Sequence, residues 1–83
     1  MVVTVELRRV ESSAIAAVGY EAGKQCLGVL WKSEPQVYCY YGVPPVKYQE
    51  LVRAESIGRY ANREIRQHYL YEVTPLEDHR ITI

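Results

Sequence analysis

Hydrophobic and polar residues alternate with a period of two along the N-terminal half of the chain. Such alternation, built largely from β-branched and aromatic residues, is typical of strands that bury one face. Residues 3–8 and 27–32 show it, and residues 15–20 and 37–41 are also predicted as strands, with short polar or proline-containing turns between the four segments. In the second segment, Ala16, Val18 and Tyr20 are expected on one face. Strands joined by such short turns predict an antiparallel meander.

Helical periodicity replaces this alternation after the segment Gly42-Val43-Pro44-Pro45, which ends the predicted sheet. Proline is well tolerated at the first helical turn, because the N–H that it lacks would have no partner there. Residues 45–54 are therefore predicted as a short helix. Its buried face is expected to carry Tyr48, Leu51 and Val52.

A second helix is predicted for residues 57–68, with Ser56 as its N-cap. Its apolar side carries four residues at helical spacing: Ile57, Tyr60, Ala61 and Ile65. The 83 residues have the size of one domain. We expect an α+β fold, in which an antiparallel sheet of three to four strands packs one face against two helices.

The C-terminal end has weaker patterns. Residues 69–73 are predicted as a final extended segment. Residues 74–83 form a tail, unless Ile81 and Ile83 place it as an edge strand.

Tyrosine supplies nearly all of the aromatic side chains, since the chain has eight Tyr, one Trp and no Phe. Tyrosine must therefore fill the core, and each buried hydroxyl needs a hydrogen-bond partner or water. Ten Lys and Arg balance ten Asp and Glu, so the net charge is zero. Nonspecific nucleic-acid binders are normally strongly basic, so this balance counts against that class, although it allows a local basic patch.

The two cysteines, Cys26 and Cys39, lie on neighbouring predicted strands without a CxxC spacing or a nearby histidine. Zinc sites in small domains use clustered Cys and His, so no metal is predicted. A disulfide is not expected either, because direct opposition would centre the turn between Lys32 and Ser33 rather than at Pro35. The N-terminus is too short and charged for a signal sequence, and no apolar run approaches the roughly 20 residues of a membrane span. We expect a cytoplasmic protein without a cofactor or a membrane-embedded part.

Three blocks of residues follow one another in the sequence: Ser12-Ser13 with Ile15 and Val18-Gly19-Tyr20; Tyr38-x-Tyr40 with Gly42-Val43-Pro44; and Ser56-x-Gly58-x-Tyr60-x-Asn62 with Ile65-Arg66 and Tyr69-x-Tyr71. Together they resemble the KTSC domain family over residues 9–73. Ala61 and Leu70 depart from the family pattern, which usually has an aromatic residue and a proline there. The family takes its name from a C-terminal extension of some lysyl-tRNA synthetases, and it also occurs as stand-alone bacterial and phage proteins. The resemblance implies RNA binding and supplies no catalytic residue.

Catalysis is not predicted. Asp78 is the only aspartate, and His68 and His79 are the only imidazoles. A hydrolytic triad needs a nucleophile, a base and an orienting group on rigid elements. The serines lie at predicted turns or helix caps, and capping or turn chemistry explains them: Ser12, Ser13, Ser33 and Ser56.

A basic stripe on the second helix is the main functional signal. Arg59, Arg63 and Arg66 have i, i+4, i+7 spacing, which places them within about 60° of one another and opposite the apolar side. Arginine forks match phosphate oxygens and stack on bases. The alternative is a solvated helix face that Glu55 and Glu64 partly neutralise.

Ser56 and Gly58 begin the same helix. Free backbone N–H groups there can hold an anion, and glycine allows a phosphate to approach closely. The alternative is an N-cap with no ligand.

The tyrosines are the third signal. Tyr38 and Tyr40 share a strand face, where they either stack on bases at the surface or pack in the core under the helices. In a small chain without Phe we favour the core, but the sequence leaves the register open. Tyr69 and Tyr71 are candidates for the remaining aromatic surface.

These signals predict a non-enzymatic binding module that contacts RNA through its second helix. The alternative is a protein–protein interaction module, such as a small phage or mobile-element protein that docks on a host partner. A neutral chain rich in Tyr and Arg suits both kinds of interface. The oligomeric state stays open.

Overall fold

The computed structural model describes residues 4–82, and no helix among them is both long and apolar enough to cross a membrane. These residues form an α+β fold with the following elements: β1 (Glu6–Arg9), β2 (Ile15–Glu21), β3 (Cys26–Trp31), β4 (Gln36–Tyr40), α1 (Pro45–Arg53), α2 (Ile57–Tyr60), β5 (Tyr71–Pro75) and β6 (Arg80–Thr82). A π-helical segment, Ala61–Ile65, continues α2 directly, and a 3-10 turn, Leu76–Asp78, joins β5 to β6. Val3 and Ile83, which the alternation placed in strands, lie outside the described residues.

All six strands belong to one sheet, in the order β5-β4-β3-β2-β1-β6. Neighbouring strands are antiparallel except β1 and β6, which are parallel and align Leu7 with Ile81. The sheet is therefore mixed, and the prediction of three to four antiparallel strands is wrong. The additional strands lie at the C-terminal end. β6 has only three residues and pairs with a strand at the other end of the chain, and it is the edge strand that the sequence left open as an alternative to a tail.

The sheet curls, because its two edge strands are close in sequence. Laid flat, six strands would separate β5 from β6 by about 24 Å, which is five spacings of about 4.8 Å. The step from Pro75 in β5 to Arg80 in β6 spans at most about 18 Å. His79 bridges the two edges, since its Nδ1 accepts from the Val5 N–H at 3.0 Å and its Nε2 lies 2.6 Å from the Thr74 hydroxyl. The sheet is therefore curled rather than flat, and β5 and β6 stay its two edges.

One face of the sheet packs against both helices and forms the main core. It contains Leu27, Val29 and Trp31 from β3, Leu51 from α1 and Ile65 from the π-helical segment. The four apolar residues predicted on the second helix also pack into it. The packing of two helices on one face is thus confirmed. The prediction that Val52 lies on the buried face of α1 is wrong, because Val52 is 41% exposed while the neighbouring Leu51 is fully buried. The buried face of α1 is therefore narrower than its pattern predicts.

The opposite face, on the inside of the curl, holds a second cluster of buried side chains: Val5, Leu7, Ala17, Cys26, Leu30, Val37 and Cys39. β1 folds over β3 there, since a Cβ added to Gly28 would lie 3.2 Å from the side chains of both Val5 and Leu7. Because both faces are covered, every residue of β3 is buried. Leu76 and Ile81 pack against this cluster, so the predicted tail is an integral part of the fold.

A β-bulge in β2 changes which side chains share a face. The pairing with β3 gains one residue between Ile15 and Ala17, and an additional residue of this kind reverses the alternation locally. Val18 and Tyr20 pack against the main core, as the alternation predicts, whereas Ala16 packs against the second cluster. The prediction that Ala16 shares their face is therefore wrong.

Candidate nucleic-acid interface

The start of the second helix has a clear structural role. The Ser56 hydroxyl oxygen accepts from the Arg59 N–H at 3.3 Å, which confirms Ser56 as the N-cap. Gly58 is buried, and a Cβ added there would lie 3.2 Å from the Ala14 side chain. Gly58 therefore lets α2 approach the β1–β2 turn closely. Capping and packing account for both residues, and a role in binding an anion stays a prediction.

The π-helical segment separates the basic stripe into two parts. Its defining hydrogen bond runs from the Arg66 N–H to the Ala61 carbonyl oxygen, at 2.8 Å. A π turn holds one more residue than an α turn, so residues after it are displaced around the helix axis. Arg66 accordingly lies over the Trp31 ring, with its guanidinium carbon 5.2 Å from the centroid. Its Nη1 also donates to Asn62 at 3.1 Å.

Arg59 and Arg63 lie on the other part, next to α1. Both line an open groove of about 430 Å³ beside Tyr60, and the guanidinium carbon of Arg63 is 5.8 Å from the centroid of that ring. A second groove of about 500 Å³ adjoins it and adds Arg53 from the last turn of α1. The sequence analysis did not include Arg53, whose only signal is its position six residues before Arg59 in the helix that pairs with α2.

Glu64 reduces the positive charge of this part. Its carboxylate oxygens lie 2.9 Å from the Lys47 Nζ and 3.1 Å from the Arg63 Nε. Both contacts, the one with Lys47 first, lower the pKa of Glu64 below its ordinary value. The carboxylate is therefore charged at neutral pH, and its contact with Arg63 agrees with the neutralisation by Glu64 that belongs to the alternative of a solvated helix face.

The tyrosines form a cluster that passes from the core to the surface. The ring centroid of Tyr71 lies 5.4 Å from that of Tyr38 and 5.6 Å from that of Tyr40. The ring centroids of Tyr38 and Tyr40 are 6.3 Å apart. Tyr40 is buried, Tyr38 is half-buried and Tyr71 is 53% exposed. Tyr40 is thus a core residue, as favoured above, and Tyr38 packs against the main core while it stays half-buried, whereas Tyr71 is exposed. Tyr69 is half-buried and packs against the main core.

Arg66 joins the helix to this cluster. The hydrogen bond to Glu34 raises the pKa of Tyr38 and burial raises the pKa of Tyr40, while the positive charge of Arg66 opposes both shifts. We call the three residues Tyr38, Arg66 and Tyr71 the stacking surface. The structure therefore brings together some of the candidates from the second helix and from the strands, with Trp31 beneath Arg66 as a residue that the sequence analysis did not assign to the site.

Comparison with known proteins agrees with the resemblance. The KTSC domain model matches residues 11–69. The chain belongs to the KTSC domain family. It is 38% identical to a protein of Tsukamurella paurometabola over 63 residues, covering 76% of this chain and 92% of that protein. It is 39% identical to an uncharacterized protein of Stutzerimonas stutzeri over 62 residues, covering 74% and 86%. The crystal structure of a KTSC domain protein from Yersinia pestis superposes with a TM-score of 0.76 at 29% identity, covering 80% of this chain and 92% of that one.

Ser12 and the two histidines of this KTSC domain have structural partners, whereas the buried Tyr40 hydroxyl has no hydrogen-bond partner within the described residues. The Ser12 hydroxyl accepts from the backbone N–H groups of Ala14 and Ile15, each at 3.2 Å. The His68 Nε2 lies 3.0 Å from the Arg63 carbonyl oxygen, and His79 bridges the sheet edges. Within residues 4–82, no three side chains of His, Cys, Asp or Glu are grouped to hold a metal ion.

Proposed function

We propose that this KTSC domain is a non-enzymatic module that binds single-stranded RNA. The observation that carries the proposal is the stacking surface, in which the exposed ring of Tyr71 lies 5.4 Å from the ring of Tyr38 and the charge of Arg66 acts on the Tyr38 hydroxyl. Proteins bind unpaired bases by stacking them on aromatic rings and arginine planes. Such a platform suits single strands better than a duplex, whose bases are already stacked.

The arginines of the second helix supply the contacts to the RNA backbone. Guanidinium groups have five N–H donors, and the contacts of Arg63 with Glu64 and of Arg66 with Asn62 each use one nitrogen. The remaining donors can take phosphate oxygens. A strand that stacks on Tyr71 would then follow Arg66 toward the groove of Arg63.

The zero net charge limits the strength of this binding. Affinity for RNA rises with the number of phosphates that Lys and Arg neutralise, and the salt dependence rises with it. With Arg59, Arg63 and Arg66 as the contacts, the slope of log affinity against log salt should be about −2, from about −0.7 per phosphate for a single strand. We therefore expect weak binding with a shallow salt dependence.

The chemistry of the other side chains supports a binding role rather than catalysis. Neither imidazole lies beside a serine hydroxyl in any hydrogen bond of the described residues, since His68 contacts a backbone oxygen and His79 contacts Thr74 and the Val5 N–H. A hydroxyl nucleophile needs such a base. The Thr74 hydroxyl does lie beside an imidazole, that of His79, but both side chains are buried away from solvent.

A charge-reversal experiment tests the backbone contacts. Arg59, Arg63 and Arg66 are changed together to Glu, and a labelled single-stranded RNA of mixed sequence is titrated at two salt concentrations. The matched control makes the same charge change with exposed arginines of β1 and β6, at the other edge of the sheet: Arg8, Arg9 and Arg80. The first variant should lose binding and the control should retain most of it. Equal affinities of the two variants would contradict the proposal.

A second pair of variants tests stacking. Tyr71→Ala should weaken RNA binding by about 1–3 kcal/mol, the typical value of one base–aromatic stack. Tyr71→Phe keeps the ring and should bind like the unmodified protein. Equal effects of the two substitutions would show that the ring of Tyr71 does not stack on a base.

A protein partner is the second candidate, and a different observation favours it. Leu70, Tyr71 and Val73 are exposed by 85%, 53% and 42% along the edge of the sheet. Exposed apolar residues that lie together often mark protein-binding surfaces. The protein-interaction function takes precedence if the unmodified protein does not bind RNA, or if neither the arginine variants nor Tyr71→Ala change its RNA binding.

A further inference from the structure

The free edge of β5 presents unpaired backbone groups. β5 is the last strand on its side of the sheet and pairs only with β4. The Tyr41 N–H donates to the Leu70 carbonyl oxygen at 2.9 Å, which makes these two residues a hydrogen-bonded pair. Such pairs alternate along an antiparallel ladder, so Glu72 and Thr74 also face β4. The backbone polar groups of Tyr71, Val73 and Pro75 therefore point away from β4, toward the free edge of the sheet.

The side chains at this edge favour an apolar partner. Leu70, Tyr71 and Val73 account for three of the five large hydrophobic residues that are exposed in the described chain. Edge strands are usually protected by charged residues, above all lysine, or by proline. Here β5 contains Glu72 and Pro75 but no lysine, so the protection is partial and leaves the Tyr71–Val73 stretch open.

We propose that two copies of this chain associate by antiparallel pairing of their β5 strands, with Val73 opposite Val73 of the second copy. Tyr71 of each copy then lies opposite Pro75 of the other copy, on either side of the central Val73 pair. The outward-facing backbone groups of the two strands therefore meet one another. Pro75 lacks an N–H but its carbonyl oxygen accepts from Tyr71. The pairing thus gives four backbone hydrogen bonds, two between the Val73 residues and two from Tyr71 to Pro75.

Charge selects this register over its neighbour. A shift by two residues would place Glu72 directly opposite Glu72 of the second copy, and like charges at directly opposed positions destabilise a strand pair. In the proposed register Glu72 faces Thr74 instead. The zero net charge of the chain also adds no overall repulsion between two copies.

A pair of cysteine variants tests the register. Opposed residues of a hydrogen-bonded pair have Cα atoms about 5.5 Å apart, within the range that a disulfide spans. Diagonal neighbours lie about 7–8 Å apart, beyond that range. Under mild oxidation Val73→Cys should therefore form a covalent dimer at least about ten times faster than Glu72→Cys, whose position is exposed and adjacent. A faster or equal rate for Glu72→Cys would overturn the register.

The unlinked protein tests the association itself. A contact limited to one short strand belongs to the small interfaces of weak complexes, so sedimentation equilibrium is measured up to about millimolar concentration. The average mass should rise from 9.6 kDa toward twice that value. Val73→Lys, which opposes two charges at the centre, should stay monomeric, whereas Val73→Thr keeps a β-branched neutral residue and should associate like the unmodified protein.

Three results would overturn the proposal. The first is an unmodified protein that remains monomeric over the whole concentration range. The second is association of Val73→Lys to the same extent as Val73→Thr. The third is a dimer that forms although neither cysteine variant cross-links. Far-ultraviolet circular dichroism and thermal unfolding confirm that each variant is folded. The outcome is independent of RNA binding, because mass and cross-linking are measured without RNA. A monomer that pairs with an added extended peptide would assign the edge to another partner.

Discussion

Replacing Leu51 with alanine gives a quantitative test of how the helices hold the sheet. Leu51 is fully buried, and it is the one residue of α1 that is. Its side chain packs in the main core together with residues from β3 and the π-helical segment. The substitution leaves the backbone of α1 intact and favours helix formation, because alanine has the highest helix propensity. Any loss of stability therefore reports on packing.

The expected loss follows from the atoms removed. Leu51→Ala deletes three buried carbon groups, which costs about 2.4 kcal/mol at about 0.8 kcal/mol per group. The cavity left behind raises the loss into the range of about 3–5 kcal/mol. A domain of this length has a total free energy of unfolding of about 4–12 kcal/mol, from about 0.05–0.15 kcal/mol per residue. The variant should therefore lose a large part of its stability.

Urea unfolding measures this loss. Trp31 is the single tryptophan and is buried in the same core, so its fluorescence follows the unfolding of the packed state. Val52→Ala is the matched control, since Val52 is adjacent in α1 but 41% exposed. The control should change the free energy of unfolding by less than about 0.5 kcal/mol, the usual range for surface sites. Similar losses for Leu51→Ala and Val52→Ala would refute the docking of α1 through Leu51.

Three further outcomes follow from the two cores. Burial lowers the pKa of His79, so the unfolded chain, with an ordinary histidine pKa of about 6.5, takes up a proton first as the pH falls. Stability measured by denaturant should therefore fall between pH 7.5 and 5.5, and this fall should shrink in His79→Asn. Cys26 and Cys39 are offset by two residues on paired strands and should be thiols, both alkylated in denaturant without reductant; a species that requires reduction first would contradict this. Gly19→Ala should destabilise by about 2 kcal/mol or more, because its Cβ would overlap the backbone of β1, whereas Gly23→Ala, in an exposed turn, should have little effect.

The N-terminal strands and both helices could be predicted, because their residues follow local periods. The alternation around Val5 and Leu7 matches their burial, and the helical spacing of Tyr60 and Ile65 matches their place in the main core. Ser56 could be identified as a cap from its residue type and its position before an apolar run. Each of these features depends on neighbours within a few residues.

The features that could not be predicted depend on distant parts of the chain. The parallel pairing of β6 with β1 and the contacts of buried His79 with Val5 and Thr74 join residues that are far apart in the sequence or lie in different elements. The bulge at Ala16 and the π-helical segment each add one residue to a regular period, which changes the face of the residues before it relative to the residues after it. Arg66 is the clearest example, because regular α spacing places it with Arg63, whereas the π turn carries it to Trp31.

The candidate site shows the same division. The residue types of the basic stripe and of the tyrosines were accessible from the sequence, but their neighbours were not. The register of β4 against β3 and β5 decides that Tyr40 is buried and that Tyr38 lies beside Tyr71. Arg53 joins Arg63 only through the packing of α1 beside α2.

Amide chemical shifts of isotope-labelled protein during titration with single-stranded RNA at low salt test the central claim most directly. RNA binding at the proposed surface predicts that the shifts which change lie around Tyr38, Tyr71, Arg63 and Arg66, and that they return toward their starting values when salt is added. Residues of β1 and β6, on the opposite edge of the sheet, should be unaffected. Changes centred on β1 and β6, or no changes at RNA concentrations well above that of the protein, would contradict the claim.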